Sequence, residues 1–284
     1  IGGLVQRVKD LGQSAVAITD HGVMYGVIDF YKACKAAGIK PIIGCEVYVA
    51  PRTRFDKVHE LDSAARHLVL LCQNEVGYRN LSYLVSQAFL EGFYIKPRVD
   101  MDLLRAHSEG LIALSACLAG AVPRLLLGSN YEGAKAHALE MQEIFGEGNY
   151  YLEIQDHGIP AQREAAQGIF RLHRETGIPL VLTNDAHYLT REDSAMQDTL
   201  MAIQMGKTVD DPSRMRFETR EFYIKSEEEM AALFPEYPEA VANTERIAER
   251  CQVEFEFGKY HLPEFKLPEG YTDGDAYFQK LCDE

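Results

Sequence analysis

Short apolar runs alternate with amphipathic stretches over about the first two thirds of the chain. The apolar runs predict strands at 15–19, 41–49, 67–72, 111–115, 150–155 and 179–183. A helical repeat of apolar positions predicts helices at 3–12, 23–37, 76–91, about 100–110, 121–128, 131–145 and 160–176. Apolar strands separated by helices of this length favour a parallel sheet with helices outside, either a barrel or a doubly wound sheet.

The pattern changes after the last predicted strand. A helix is predicted at 192–205, another begins at an N-cap Ser226 with Glu229 three residues on, and a third covers 238–251. Residues 256–272 are rich in Pro, Gly and aromatics, which predicts an extended linker. We therefore predict three parts: a barrel at 1–205, a mainly helical part at 206–255 and a linker at 256–284.

Residues that bind metal or activate water stand at the ends of these apolar runs. They are Asp20 and His21 after AVAIT, Glu46 after PIIGC, Cys117 after LIALSA, Glu153 after YYL, Asp185 and His187 after PLVLTN, and His67 at the front edge of LVLLC. The βα loops at one rim of a barrel usually carry its chemistry, so we expect these residues to gather there. A doubly wound sheet concentrates its site at one switch point, so ligands from many strands favour the barrel.

Several of these residues also have an ordinary structural interpretation. Asp20 would cap the following helix, His67 would be a structural hydrogen-bonding group, and Cys117 would be a small hydrophobic residue. Glu46, among apolar strand residues, would form an inward ion pair if it held no ion, because an unpaired buried carboxylate is costly. The segment Asp185–His187 repeats the Asp/His pattern with one residue between, which lets both side chains face a site from extended backbone. The repetition favours the functional interpretation.

The mixture of nitrogen, oxygen and sulfur donors bears on the metal. It fits Zn²⁺ best, with Mn²⁺ and Fe²⁺ as alternatives, and disfavours a site for Mg²⁺ alone. Two or three ions close together would clamp a phosphoryl group and lower the pKa of a bridging water. Asp20 is a candidate for a ligand or for a group that orients the ligands, and Glu153 and His157 are candidates for ligand, general base or orienting group. The sequence has no P-loop, no GxGxxG after a strand and no GxSxG elbow, so nucleotide triphosphate, dinucleotide and acyl-serine chemistries have no support.

The charge and cysteine content limit the partners and the compartment. The formal net charge of −14 opposes non-specific DNA binding, so a nucleic-acid substrate would have to be attracted by the metal site or by another domain. The six cysteines show no CxxC spacing and the chain has no secretory signal, which predicts reduced thiols in a cytoplasmic protein. No apolar run approaches the roughly 20 residues that span a bilayer. The initial Ile and the acidic end indicate part of a longer protein.

Seven motifs in order carry a resemblance to a known family. They are ITDHG (18–22), GIKPIIGCEVYVAP (38–51), RHLVLL (66–71), GYRNL (77–81), EGLIALSACLAG (109–120), YLEIQDHG (151–158) and TNDAHYL (183–189). Together they resemble the polymerase and histidinol phosphatase (PHP) domain, in the form that stands at the N-terminus of the α subunits of bacterial replicative DNA polymerases. FEFGKYHLPEF (255–265) resembles the stretch that leads towards the polymerase core. The resemblance runs nearly end to end.

The resemblance implies a distorted (β/α)7 TIM-like barrel that holds up to three metal ions and hydrolyses phosphoesters. His21 and His187 would share one ion, Glu46 would bridge two, His67 and Cys117 would hold the second, and Asp185 would help to hold the remaining one. Glu46, Asp185 and His187 would carry the catalysis. The family opens with a strand carrying His-x-His, and this chain begins after it. We therefore expect a barrel without its first strand, in which the site of Glu46, His67 and Cys117 is the most complete.

Three functions follow from the resemblance. Polymerase-linked members with intact ligands are implied to be metal-dependent 3′–5′ exonucleases, with DNA synthesis residing elsewhere in the larger protein. Other members are implied to be scaffolds that support the polymerase and bind a separate proofreading subunit. A free-standing phosphatase of the histidinol phosphate type is the third alternative, and residues 255–284 argue against it. The expected partners are DNA, reached through the larger polymerase, and other replicase subunits, with no membrane.

Overall fold

The computed structural model describes residues 1–260 and 262–284, which form two compact units, Ile1–Val253 and Glu254–Glu284. The strands are β1 (Ala15–Ile18), β2 (Lys40–Val49), β3 (Arg66–Cys72), β4 (Arg98–Val99), β5 (Leu111–Leu114), β6 (Tyr150–Ile154) and β7 (Leu180–Leu182). The helices of the first unit are α1 (Gly2–Asp10), α2 (Val27–Ala37), α3 (His59–Asp62), α4 (Glu75–Leu90), α5 (Met101–Ala106), α6 (Ala121–Leu127), α7 (Tyr131–Phe145), α8 (Pro160–Thr176), α9 (Ser194–Gln204), α10 (Glu227–Ala231) and α11 (Pro238–Arg250). No helix in these ranges is long and apolar enough to cross a membrane.

The strands form one curled sheet in the order β1-β2-β3-β5-β6-β7, with β4 beside β2. The pairs β1–β2, β5–β6, β6–β7 and β2–β4 are parallel. This mixed α/β half-barrel confirms the predicted fold class, a distorted TIM-like barrel. Within the described ranges, β1 and β7 stand at the two edges of the sheet.

One strand departs from the predicted parallel arrangement. β3 runs antiparallel to both of its neighbours, β2 and β5. The segment before it, residues 50–65, contains only the four-residue helix α3, whereas a parallel crossover usually runs through a full helix. Its reversed direction places the start of β3 at the same edge as the carboxyl ends of the parallel strands. His67, the second residue of β3, therefore reaches that edge.

Local sequence signals account for most helix ends. α2 ends at Gly38 and α8 ends at Gly177, both in the left-handed conformation that glycine adopts without steric cost. The predicted capping box at Ser226 and Glu229 is present at the start of α10. α2 begins at Val27, four residues later than predicted, because residues 25–26 form a turn before it. β4 was not predicted.

A segment from the C-terminal part of the first unit lies between the two edges of the sheet. On one side, Phe222 O accepts a hydrogen bond from His187 N (2.8 Å), beyond β7. On the other side, Gln13 Nε2 donates to Lys225 O (3.0 Å), just before β1. Residues 222–225 thus link the two edges, which keeps the curled sheet barrel-like. The predicted division into parts at 205/206 stays a prediction.

One buried apolar cluster lies on the face of the sheet that Glu46 shares. Ile42 and Glu46 are four residues apart on β2, so their side chains point to the same face. Ile42 belongs to a buried cluster with side chains of β3, β5, β6 and β7. Ile247 of α11 packs into the same cluster. The candidate ligands therefore lie next to a buried apolar cluster.

The second unit contains one helix, α12 (Gly274–Asp283), within the described residues. It begins at Asp273, whose side chain accepts a hydrogen bond from Asp275 N (2.9 Å). The linker was predicted over 256–284, so its last third is helical where no helix was expected. Residue 261 lies outside the described residues.

Candidate metal centre

Three side chains from the first three strands of the sheet meet at its carboxyl edge. Glu46 lies on β2, and its backbone N–H donates to Asp20 O (3.1 Å). This hydrogen bond places the next residue, His21, beside Glu46. His21 Nε2 is 3.6 Å from Glu46 Oε1, and His67 Nδ1 contacts the same oxygen. One ligand atom from each of the three residues lies within 4.8 Å of the others. This cluster can hold one metal ion.

The environment of Glu46 tests whether a cation fits. The residue is 5 % exposed, and its Oε1 atom is buried without a hydrogen bond of normal geometry. Burial alone would raise the pKa of Glu46, but the His67 imidazole and the charges of His21 and His187 hold that pKa below its usual range. The carboxylate is therefore ionised with a lone pair unused between two imidazoles. Two nitrogens and one oxygen are donors that Zn²⁺, Mn²⁺ and Fe²⁺ accept, so the residues fit a metal ion.

Cys117 lies beside this cluster, in the loop after β5. Its Sγ is 3.8 Å from His67 Nδ1. The loop is tied to β3 by the hydrogen bond from His67 N to Ala119 O (3.1 Å). Burial, and then the charges of Asp185 and Glu46, raise the pKa of the Cys117 thiol, so it is protonated when no cation is near. The structure brings Cys117 to the site, and its role as ligand stays a prediction.

Asp185 and His187 approach from the opposite edge of the sheet, in the loop after β7. The ring centroids of His187 and His21 are 6.0 Å apart. His187 Nδ1 donates to the Asp185 backbone O (2.7 Å), which leaves Nε2 with a free lone pair, the form in which imidazole binds metal. Burial, chiefly, raises the pKa of the Asp185 carboxyl. Both residues thus lie at the site, and their roles in metal binding and catalysis stay predictions.

Asp20 and Glu153, two of the three residues considered as orienting groups, differ in burial and in their hydrogen bonds. The Asp20 side chain is exposed, whereas its backbone O accepts the hydrogen bond from Glu46 N. Glu153 is buried, and its carboxylate accepts hydrogen bonds from Ala116 N (2.9 Å) and from the Thr183 hydroxyl. Burial raises the pKa of Glu153 to about 7. Glu153 therefore ties the Cys117 loop to β7.

His157 is fully buried and has no free ring nitrogen. Its Nε2 donates to Asn184 O (2.8 Å), and its Nδ1 accepts from Gln162 Nε2 (2.6 Å). Its ring stacks on Phe222 at 3.9 Å. In this arrangement His157 hydrogen-bonds to the backbone next to Asp185 and offers no lone pair to an ion, and its role in orienting the ligands stays a prediction.

Three aromatic side chains at the site were not singled out from the sequence. The Tyr48 ring lies 5.2 Å from that of His67 and 6.2 Å from that of His21. Phe217 and Phe222 lie 4.9 Å and 5.9 Å from the His187 ring. Tyr48 could have been found, because it is two residues beyond Glu46 on a strand and so faces the same side. Nothing local connects the two phenylalanines with β7.

Comparison with known proteins places this geometry in a family. The model of the PHP domain matches residues 1–157. The DNA polymerase III subunit alpha of Treponema pallidum is 49% identical over 98% of this chain, and that of Borreliella burgdorferi is 44% identical over 99%. The chain spans about a quarter of the length of these relatives (24% and 25%).

One solved structure was compared as well. It is a Bifidobacterium adolescentis protein described as a metal-dependent phosphoesterase, and it covers 81% of this chain at 13% identity and a TM-score of 0.39, a likeness too weak to support a conclusion. The family model, by contrast, covers more than half of the chain and includes His21, Glu46, His67 and Cys117. The chain belongs to the PHP domain family.

Proposed function

We propose that this chain is a metal-dependent phosphoesterase domain that hydrolyses the terminal phosphodiester at the 3′ end of DNA. The observation that carries the proposal is the buried Glu46 Oε1, which has no normal hydrogen bond and stands between His21 and His67. Zn²⁺ is the proposed ion, because Cys117 Sγ adds a soft donor beside two imidazoles. Mn²⁺ and Fe²⁺ are the alternatives.

The proposed mechanism divides the work among the residues at this edge. His21, Glu46 and His67 would hold the ion, with Cys117 as a further donor. Bound there, the ion would supply Lewis acidity towards a phosphoryl oxygen and would lower the pKa of a water molecule. Asp185, whose pKa is raised by burial, would accept a proton from the attacking water. His187 is held by its Nδ1 hydrogen bond and would offer the Nε2 lone pair to the ion as a further ligand.

We further propose that the chain is part of a replicative DNA polymerase α subunit, in which template-directed synthesis belongs to other domains. The identities of 49% and 44% with DNA polymerase III subunits alpha support this. DNA and other replicase subunits are then the partners. A cytoplasmic location is part of the proposal, and the six free cysteines support it.

A scaffold that supports the polymerase and binds a proofreading subunit is the second candidate. The net charge of −14 favours it, since such a surface repels DNA phosphates. A scaffold needs no ionised carboxylate between two imidazoles, so Glu46 favours the enzyme.

One experiment separates these functions. The chain is purified without chelator, its metal content is measured by mass spectrometry, and it is incubated with a 3′-labelled single-stranded oligonucleotide and with histidinol phosphate. We expect about one ion per cluster and removal of the 3′ nucleotide, both lost in Glu46→Gln. Bound metal without hydrolysis of either compound would support the scaffold. Faster hydrolysis of histidinol phosphate than of DNA would support the phosphatase.

A further inference from the structure

Two residues with an unusual backbone conformation, Ala116 and Asp185, lie in the loops of the candidate metal centre. Four residues other than glycine have positive φ in the described part of the chain: Ile95, Ala116, Ser129 and Asp185. Ala116 precedes the candidate ligand Cys117, and Asp185 is itself a candidate. Ile95, at φ 64°, is branched at Cβ, and such a residue adopts this conformation only where its surroundings impose it. Strain of this kind clusters at functional sites, and the residue that Ile95 positions is Lys96.

The turn that carries Lys96 is held firmly in place. Tyr94 N donates to Lys96 O (3.0 Å), which closes the turn. Two residues later, the fully buried Arg98 donates to Gly92 O (3.0 Å) and Asp56 O (2.8 Å). The side chain of Arg98 thus clamps both ends of the turn to the neighbouring loop. The position of Lys96 is set by buried hydrogen bonds on either side of it.

The Lys96 ammonium lies at the rim of the candidate metal centre. Its Nζ is 5.4 Å from the centroid of the Tyr48 ring, and the same ring lies 5.2 Å from that of His67. Lys96 is exposed and forms no ion pair with a carboxylate within residues 1–260 and 262–284. Two positive charges close together repel, so a lysine beside a cation site is favoured there when an anion lies between the ammonium and the ion.

We infer that Lys96 is a positioning residue for the substrate: its ammonium binds a non-bridging oxygen of the phosphate that reaches His21, Glu46 and His67. Lysine binds phosphate as a mobile point charge, and the Tyr48 face guides the ammonium towards the site. This inference rests on the proposed phosphoesterase function. No bond forms or breaks at Lys96, which only orients the phosphate and offsets its charge.

The test measures phosphate binding rather than turnover. The chain is loaded with Mn²⁺, whose affinity is followed by electron paramagnetic resonance, and the binding of inorganic phosphate is followed by the ³¹P relaxation that the ion causes. Three variants are compared: Lys96→Met, which keeps the stem, Lys96→Arg, which keeps the charge, and Lys9→Met. Lys9 is exposed near the end of α1, just before β1 begins. It therefore lies by the amino end of β1, whereas the candidate metal centre lies at the carboxyl end.

We expect Lys96→Met to weaken phosphate binding about tenfold and to leave Mn²⁺ affinity unchanged. Lys96→Arg should restore most of the loss, and Lys9→Met should match the unaltered chain. Equal phosphate affinity in Lys96→Met and the unaltered chain would overturn the inference and leave the proposed function standing. An unaltered chain that binds neither Mn²⁺ nor Zn²⁺ at this cluster would overturn both.

Discussion

The rings of His21 and His187 lie 6.0 Å apart at the carboxyl ends of β1 and β7, the two strands at opposite edges of the sheet. Side chains from opposite edges meet only when a sheet curls towards closure. Both histidines act on Glu46, because their charges help to keep the pKa of its carboxyl low. The curl of the sheet thus assembles the site.

The buried carboxylate should be indispensable for metal binding. We expect Glu46→Gln to weaken Zn²⁺ binding by at least about 100-fold, because the amide removes the only negative charge that this group of three side chains offers to the ion. Competition with a chromophoric chelator measures the affinity. Glu75→Gln is the matched control, since Glu75 is exposed on α4 and pairs with Arg79 (2.6 Å). Equal affinities in the two variants would show that the ion binds elsewhere.

Two ligand sets are possible, and they differ in whether Cys117 binds the ion. The tightest cluster consists of His21, Glu46 and His67, whereas the resemblance adds the thiolate of Cys117. If the thiolate binds, Co²⁺ loading should produce a sulfur-to-metal charge-transfer band in the near ultraviolet that Cys117→Ser lacks. Because the pKa of the free thiol is raised, loading should also release a proton. A band that persists in Cys117→Ser would remove this residue from the ligand set.

His157 should matter for stability and, through the backbone, for the site. His157→Ala removes a fully buried ring and its hydrogen bonds to Asn184 O and Gln162 Nε2. We expect the free energy of unfolding in urea to fall by about 3 kcal/mol, the range for deleting a buried ring. His59→Ala, at an exposed position, should change it little. A His157→Ala chain as stable as that control would contradict the structure.

Acid stability should depend on a carboxylate far from the site. Glu175 on α8 contacts Lys135 Nζ (2.7 Å) and Arg171 Nε (2.7 Å), and these hydrogen bonds lower the pKa of Glu175 to about 2. A carboxyl whose folded pKa is depressed adds stability above its unfolded pKa, near 4.5, and loses it as the pH falls towards 2. Urea unfolding between pH 6 and about 2 should therefore show a smaller decline in Glu175→Gln than in the unaltered chain.

The control for that titration lies on the same helix. Glu164 is exposed on α8, so Glu164→Gln should keep the full decline. Parallel curves for Glu175→Gln and the unaltered chain would show that the contacts with Lys135 and Arg171 contribute nothing in solution.

Local sequence determined the elements and the candidates. α7 and α8 have the predicted bounds, because each combines a regular apolar face with clear end signals such as Asn130 before α7 and Gly177 after α8. Ligand residues at strand ends could be recognised because strand periodicity and polarity are local properties. The resemblance added the family and the expected ions.

Only the tertiary structure decided how these pieces meet. The reversed β3 brings His67 against Glu46, and residues 222–225 link the edges of the sheet beside His187. Strand order, direction and curl depend on which distant surfaces pack together, and periodicity within one segment contains no information on that choice. Lys96 shows the same limit: its role depends on Tyr48, a residue that lies far from it in the sequence and near it in the fold.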